Sequence, residues 1–488
     1  MIFDWGFILT LGIMSAALLI ATLVRSRIRF FQRFLIPNSL TAGFLLLPFY
    51  NCIAPRIGMD TVHLENMVYH FLCLSFIAMT LRTTDKRQRK GMKDIIATAN
   101  SLLSQYALQS FLGLLISIAL ILWVIPDLFP GFGLFTTLGF SLGPGQAFSI
   151  GSGWEDLLSA AAANGTEINC RYEGLGDIGL TMGAIGFLWA CFGGIFLVNW
   201  AVRKGWIDRS KIEQSLNENY VRKGVFSRMD KVSLSGEKDL TNPEAIDPLT
   251  LNFAIVIVTY VASFYVMKGL SWLLSFAGDK GAALASNLWG IMFVFCALMA
   301  MLVKALLKLF KLEYIVDNNR MNRIAGFSVD FMVAAALGAI SVSVVAEYWL
   351  PILIMAVLVG LATTGTHIWL SSRMFTDHVF YRTILVYGCA TGTLPTGLAL
   401  LRIIDPNFET PASRDYMYAS GFVFAFAIPI LLSANGTVSA VIEGNFNKLW
   451  FLLGLYGLYI LFCLAVYLFL SGKRRFKDPG QIWLKRKK

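Results

Sequence analysis

Two short stretches of this 488-residue chain carry the residue types from which a binding site at membrane depth is built. The first reads Gly139-Phe140-Ser141-Leu142-Gly143-Pro144-Gly145-Gln146-Ala147-Phe148-Ser149-Ile150-Gly151-Ser152-Gly153-Trp154-Glu155. The second reads Gly388-Cys389-Ala390-Thr391-Gly392-Thr393-Leu394-Pro395-Thr396-Gly397. Gly and Pro release backbone N–H and C=O groups from helical pairing. Unpaired groups are costly in hydrocarbon, so a broken helix persists only where it is buried in protein or lines a watery cavity. Freed N–H groups at a helix N-terminus attract anions, whereas freed carbonyls and hydroxyls suit a small hard cation. The candidate substrate ligands are Ser141, Gly143, Gly145 and Gln146, with Gly392, Thr393, Pro395 and Thr396. The candidate ion ligands are Ser141, Thr391, Thr393 and Thr396, with Asp330 and Asn435 as further candidates. Sodium is satisfied by neutral oxygens, whereas proton coupling needs a titratable carrier, and Asp330 is the carboxylate available for it in the second half. Small residues also serve helix packing. A site is favoured because the two stretches recur at matching places in two halves of the chain.

The remaining polar residues at membrane depth are few. Asp330 lies in Phe327-Ser328-Val329-Asp330-Phe331-Met332, and Asp177 opens the fifth apolar run. Ionisable groups inside spans default to a functional reading, although both of these lie near predicted span ends. Asn100, Ser101 and Gln105 fall in the fourth run, and Ser433 and Asn435 in the tenth, where most such residues bond neighbouring helices. His63, His70, His367 and His378 form no HExxH or Cys/His constellation and read as interfacial or packed. The seven cysteines show no CxxC pair and read as small core hydrophobes. No Walker loop, zinc motif or nucleophile elbow is present. The expectation is no enzyme and no cofactor, with an ion gradient as the energy source.

The elements that must position these residues are membrane helices. Hydrophobic residues make up 56% of the chain and charged residues 15%, with a mean hydropathy of +0.64. A soluble domain carries about 25% charged residues, so the bilayer is the solvent. Apolar runs at about 4–24, 35–54, 64–81, 95–124, 176–203, 248–274, 287–308, 326–347, 349–371, 416–441 and 449–471 predict eleven spans. The N-terminus lacks a basic start and a small-residue cleavage site, so the first run reads as an uncleaved span.

The net charge of +11 reports orientation rather than a nucleic-acid partner. With the N-terminus outside, 36 of the 41 Lys and Arg residues fall on the cytoplasmic side. The exceptions are Arg56, Arg171, Lys268, Lys280 and Lys448. This is the positive-inside asymmetry. Trp5, Trp123, Trp272, Trp289, Trp349 and Trp450 at predicted outer ends, with Trp200, Trp206 and Trp369 at inner ones, agree with it. The Lys485-Arg486-Lys487-Lys488 tail suits contact with anionic lipid.

Each half holds five spans with a Gly/Pro-rich hairpin between the fourth and fifth. Five is odd, so the second half enters from the opposite face. The expected fold is an all-α polytopic membrane protein of two inverted repeats. Residues 1–203 form the first repeat, with a hairpin at about 131–158, and 204–246 a cytosolic polar linker. Residues 247–443 form the second repeat, with a hairpin at about 379–404, and 444–488 an extra span and basic tail.

With these residues in place, the chain resembles the bacterial sodium:glutamate symporter family as a distant member. Leu35-Ile36-Pro37-Asn38-Ser39-Leu40-Thr41-Ala42-Gly43 is similar to the family's Ile-Pro-Glu-Pro and its small-residue run. Ser141 to Trp154 is similar to its first hairpin, Thr391 to Gly397 to its second, and Asn435 falls at a family asparagine. The resemblance covers nearly all of residues 1–443. The family's hairpin histidines are absent, and the long linker and eleventh span are departures. The resemblance implies a homodimer, sodium coupling, an elevator-like movement and a glutamate-like anionic substrate at a bacterial inner membrane. Alternatives are a carrier of another organic anion, a sodium/proton antiporter on the same frame, an intramembrane enzyme, or a membrane scaffold.

Overall fold

The computed structural model describes residues 5–33, 36–82, 92–207, 246–276, 278, 285, 288, 289, 291–405 and 410–484. Most of the expected linker, the basic tail at 485–488 and the side chain of Pro395 lie outside the described residues.

Hydrocarbon offers backbone groups no partner, so an apolar chain of this length satisfies them within helices. The protein is an all-α polytopic membrane protein, and among the described residues ten helical segments are long and apolar enough to cross a bilayer. They are built from α1 (Trp5–Arg27), the short α2 (Arg29–Arg33), α3 (Asn38–Pro48, extended by turns to Ile57), α4 (Val62–Leu81) and α5 (Met92–Trp123). The first hairpin descends through a 3-10 turn (Pro130–Leu134) and a π turn (Thr137–Leu142) and returns as α6 (Pro144–Ala163). Next come α7 (Leu175–Leu188) and α8 (Gly194–Arg203), joined by a π turn, then α9 (Pro248–Ser275), α10 (Met292–Leu309), α11 (Asn318–Ala339), α12 (Val342–Glu347) and α13 (Trp349–Met374). The second hairpin is α14 (Val379–Thr391) and α15 (Leu394–Arg402), followed by α16 (Ala412–Ala434), α17 (Gly436–Ile442) and α18 (Asn447–Ser471).

The eighth expected span, 326–347, is α11 plus α12 and does not meet the apolar criterion. Asn318, Asn319, Arg320, Asn322, Arg323 and Asp330 make α11 too polar. It is held between α3 and α4. Its break at Ile340–Ser341 is stitched by two side chains from the first half. Asn51 donates to the Ile340 carbonyl (2.9 Å) and accepts from the Val342 N–H (3.0 Å). Asp177 accepts from the Ser341 N–H (2.8 Å), which gives this carboxylate a structural partner.

The helices sort into two packed groups. One contains α1, α3, α4, α9, α10 and α11, with α4 against α11 at its centre. The other contains α5, both hairpins, α7–α8, α13 and α16–α18. They meet chiefly where α6 and α7 lie against α4 and α11.

After α18 the chain turns back beneath the second group. Arg373, fully buried at the end of α13, donates to the carbonyls of Asp478 (2.8 Å), Gln481 (2.8 Å) and Lys477 (3.2 Å). Its guanidinium lies 4.1 Å above the Trp369 ring centre. Trp483 stacks on Trp206 at 4.4 Å and meets Phe380 edge-on. This strap joins α18 to the bases of α13, α14 and α8.

Candidate functional site

The two hairpins meet tip to tip within the second group. At the first tip Gly143 has φ +105°, a conformation that L side chains rarely adopt. A Cβ there would lie 2.8 Å from Thr393 Cγ2 of the second tip and 3.5 Å from Gln146 Oε1. Both return arms, α6 and α15, begin at the tips with Pro in the first turn and no side-chain cap. Two helix N-termini therefore present uncapped N–H groups at the junction, an arrangement that favours an anion.

Ser141 Oγ sits 2.6 Å from Gln109 Oε1 and 2.9 Å from the Ala390 carbonyl. Gln109, from the middle of α5, donates to that same carbonyl (3.0 Å) and to Thr363 Oγ1 of α13 (3.1 Å). Tyr106 OH donates to the Ser141 carbonyl at 3.3 Å. Gln109 thus takes up the Ala390 carbonyl and Tyr106 the Ser141 carbonyl at the two tips. Gln146 Oε1 and Thr393 Oγ1 remain: both are buried and have no partner. A buried polar atom left unpaired costs about 1–3 kcal/mol, so each oxygen is a place where a ligand gains.

The structure brings together Ser141, Gly143, Gln146, Gly392 and Thr393. Gly392 is hemmed in by Gly388 O, Ala190 and Thr396, and Thr396 is buried one turn into α15. Thr391 is buried beside them, but its hydroxyl donates back to the Tyr387 carbonyl (2.8 Å). Gly145 faces Met332 Sδ and Leu72, at the joint between the two groups of helices. Two candidate ion ligands are not brought to the tips. Asp330 is two residues from Met332, about 200° around α11, and its carboxylate is bonded by Ser39. Asn435 accepts from the Trp154 indole at 2.6 Å.

Sequence reasoning passed over Gln109, Thr363 and Tyr106. The signal that finds the first is spacing: Ser101, Gln105 and Gln109 recur every four residues, a stripe down one face of α5. That stripe meets a second one on α13. Gln105 accepts from Thr366 (3.3 Å), and Ser101 lies 3.4 Å from His367 Nδ1 and 3.3 Å from Ser371 Oγ. His367 Nε2 lies 2.9 Å from the Thr383 carbonyl of α14. Near the linker end, Asp94 accepts from the Thr376 N–H (3.1 Å) and hydroxyl (2.6 Å). A buried polar seam therefore runs from the hairpin tips toward the linker end.

At the opposite end an exposed clasp closes over the first hairpin. Arg171 bonds Asp127 (2.5 Å) and Glu347 (3.1 Å), and its own N–H donates to the Asp127 carbonyl (2.7 Å). The guanidinium holds the Asp127 carboxyl below its ordinary value, and the carboxylates in turn raise the Arg171 value.

No protein-family model, curated protein or solved structure matches the chain.

Proposed function

We propose that the protein is a secondary active transporter that takes up glutamate or a related carboxylate with sodium. Substrate is held between the two hairpin tips. The observation that carries this reading is the junction of Gly143 with Thr393, where two uncapped helix N-termini flank the unpartnered oxygens of Gln146 and Thr393. The N-termini suit a carboxylate and the oxygens suit a small cation or an ammonium group. Thr393 offers the hydroxyl best placed for sodium, with Ser141, Thr391 and Thr396 close by.

The partition of the helices supports two inverted repeats. The first three spans of each half (α1, α3, α4 and α9, α10, α11) make one group. The fourth span, hairpin and fifth span of each half (α5 to α8 and α13 to α17) make the other. In this reading the first group is the scaffold and the site of homodimer contact, and the hairpin-bearing group moves against it like an elevator. The membrane is a bacterial inner membrane, with the linker and C-terminus cytoplasmic.

The deciding experiment is transport by the purified full chain in proteoliposomes, across a panel of carboxylates with and without an inward sodium gradient. Gradient-dependent uptake of L-glutamate or a close relative is expected. Equal uptake in sodium-free buffer overturns sodium coupling, and transport of no carboxylate overturns the reading as a whole.

A further inference from the structure

The polar seam contains a titratable group that the transport reading leaves unused. His367 is fully buried where α13 crosses α5 and α14. A carbonyl only accepts, so Nε2 must carry a proton toward Thr383 O (2.9 Å), leaving Nδ1 as an acceptor for the Ser101 hydroxyl. Ser371 Oγ, 3.3 Å from Ser101 Oγ, completes the chain. This set of bonds can be reversed. When Nδ1 takes a proton, Ser101 turns to accept from it and donates to Ser371. Ser371 then donates to the carbonyl four residues back, as helical serines do. The imidazole thus gains a charge without stranding a donor.

We propose that His367 is a proton-binding site, and that its charge is coupled to an anion held at the hairpin tips. The surroundings explain why coupling is required. Around the imidazole, α5 presents Ser101, α13 presents Ser371, and α14 presents the Thr383 carbonyl and Tyr387, whose ring centre is 6.3 Å away. On α18, packed on α5 and α13, the Cys463 carbonyl accepts from Asn100 and Tyr467 packs on Trp369. Of the charged groups on these elements, Lys93 is exposed at the start of α5 and Lys448 pairs with Glu443. Asp94 holds Thr376, Arg373 the strap, and Arg382 the pair Asp377 and Asp415. Among the described residues no carboxylate pairs with His367. The counter-charge is supplied by the bound anion. From Thr383 to Thr391 at the tip is eight helical residues, about 12 Å. Opposite charges at that separation in a protein interior strengthen each other's binding by about tenfold. The coupling rests on the anion-transport reading; the proton site itself does not.

The test uses the full chain with 15N-labelled histidine in nanodiscs, with His367 assigned from the H367Q variant. NMR is expected to show the Nε2–H tautomer near about pH 8 and a reversible doubly protonated form at the acid limit at which the protein stays folded. S101A removes the acceptor for the new proton and lowers the midpoint by about ten- to hundredfold in proton concentration. An imidazole that stays singly protonated at the acid limit in folded protein overturns the site. Saturating L-glutamate with sodium chloride is expected to raise the midpoint about tenfold. An unmoved midpoint in a preparation that transports L-glutamate overturns the coupling. If L-glutamate is transported at no pH, the substrate reading fails and the ligand-free titration still decides the proton site.

Discussion

Ser141 and Ala390, 249 residues apart in sequence, are joined by a 2.9 Å hydrogen bond from a hydroxyl of one hairpin to a carbonyl of the other. Gln109 donates to the same carbonyl through Nε2 and shares the single Ser141 hydroxyl proton through Oε1, so the junction is a three-part contact between the two hairpins and α5. Replacing Gln109 by Leu leaves the Thr363 hydroxyl and part of the Ala390 carbonyl without a partner. The expected loss is about 1–3 kcal/mol, seen as a lower midpoint in thermal unfolding of the nanodisc-embedded protein. Unchanged stability would mean that the hairpins are held by packing alone.

Gly143→Ala is expected to abolish uptake, because it combines a disfavoured φ with a clash against Thr393 Cγ2. The T393S change removes that methyl and leaves the φ problem. The double variant should recover only a fraction of the transport rate. Full recovery would locate the whole effect in the clash.

The two threonines at the second tip should behave differently. The Thr391 hydroxyl is bonded to Tyr387 O, whereas Thr393 Oγ1 is unpartnered. Thr393→Ala should raise the sodium concentration for half-maximal uptake, and Thr393→Ser should restore it. Thr391→Ala should have the smaller effect. The reverse order would move the ion site below the tip.

The clasp at Arg171 gives a pH dependence with a definite sign. Asp127 has its folded value depressed by Arg171, so the contact is present above the ordinary carboxyl value near 3.8 and is lost as pH falls below it. Both partners are exposed, so the effect is local and is screened by salt. Hydrogen exchange at the Arg171 amide, bonded to Asp127 O, should lose protection only in acid. Arg171→Met should remove that pH dependence.

The strap depends on a guanidinium. Arg373→Lys keeps the charge but cannot direct a planar fork at three carbonyls and the Trp369 ring. Both this variant and Trp483→Ala should expose residues near 475–484 to limited proteolysis, with intact chain remaining up to Ser471. Resistance equal to the native chain would show that the remaining contacts hold the strap unaided.

The helix breaks in the two Gly/Pro-rich runs were legible because Gly and Pro release backbone groups from helical pairing. The expected limits of about 131–158 and about 379–404 lie close to the observed Pro130–Ala163 and Val379–Arg402. The π turns at Thr137–Leu142 and Trp189–Gly193 left no such trace, since their residues would serve equally well in a continuous helix. Asp330 and Asn435 show the limit for sites. Sequence gives a side chain's depth along a helix, but not which face meets the hairpins. Asp330 turned to Ser39 and Asn435 to Trp154, partners that become neighbours only through tertiary packing. Gln109 was legible in principle from its four-residue spacing.

The break between α11 and α12 bears on the order in which the chain is made. The exposed groups of Ile340, Ser341 and Val342 are bonded by Asn51 and Asp177, which precede them by more than 160 residues. Chains emerge N-terminus first, so the break reaches a bilayer in which its partners are already inserted. Synthesis in the opposite order would leave those groups without their side-chain partners. The second half made alone as residues 246–488 should therefore insert α11–α12 poorly, and supplying residues 1–245 beforehand as a separate chain should rescue it. Rescue in that experiment would make the first half an assembly template for the second.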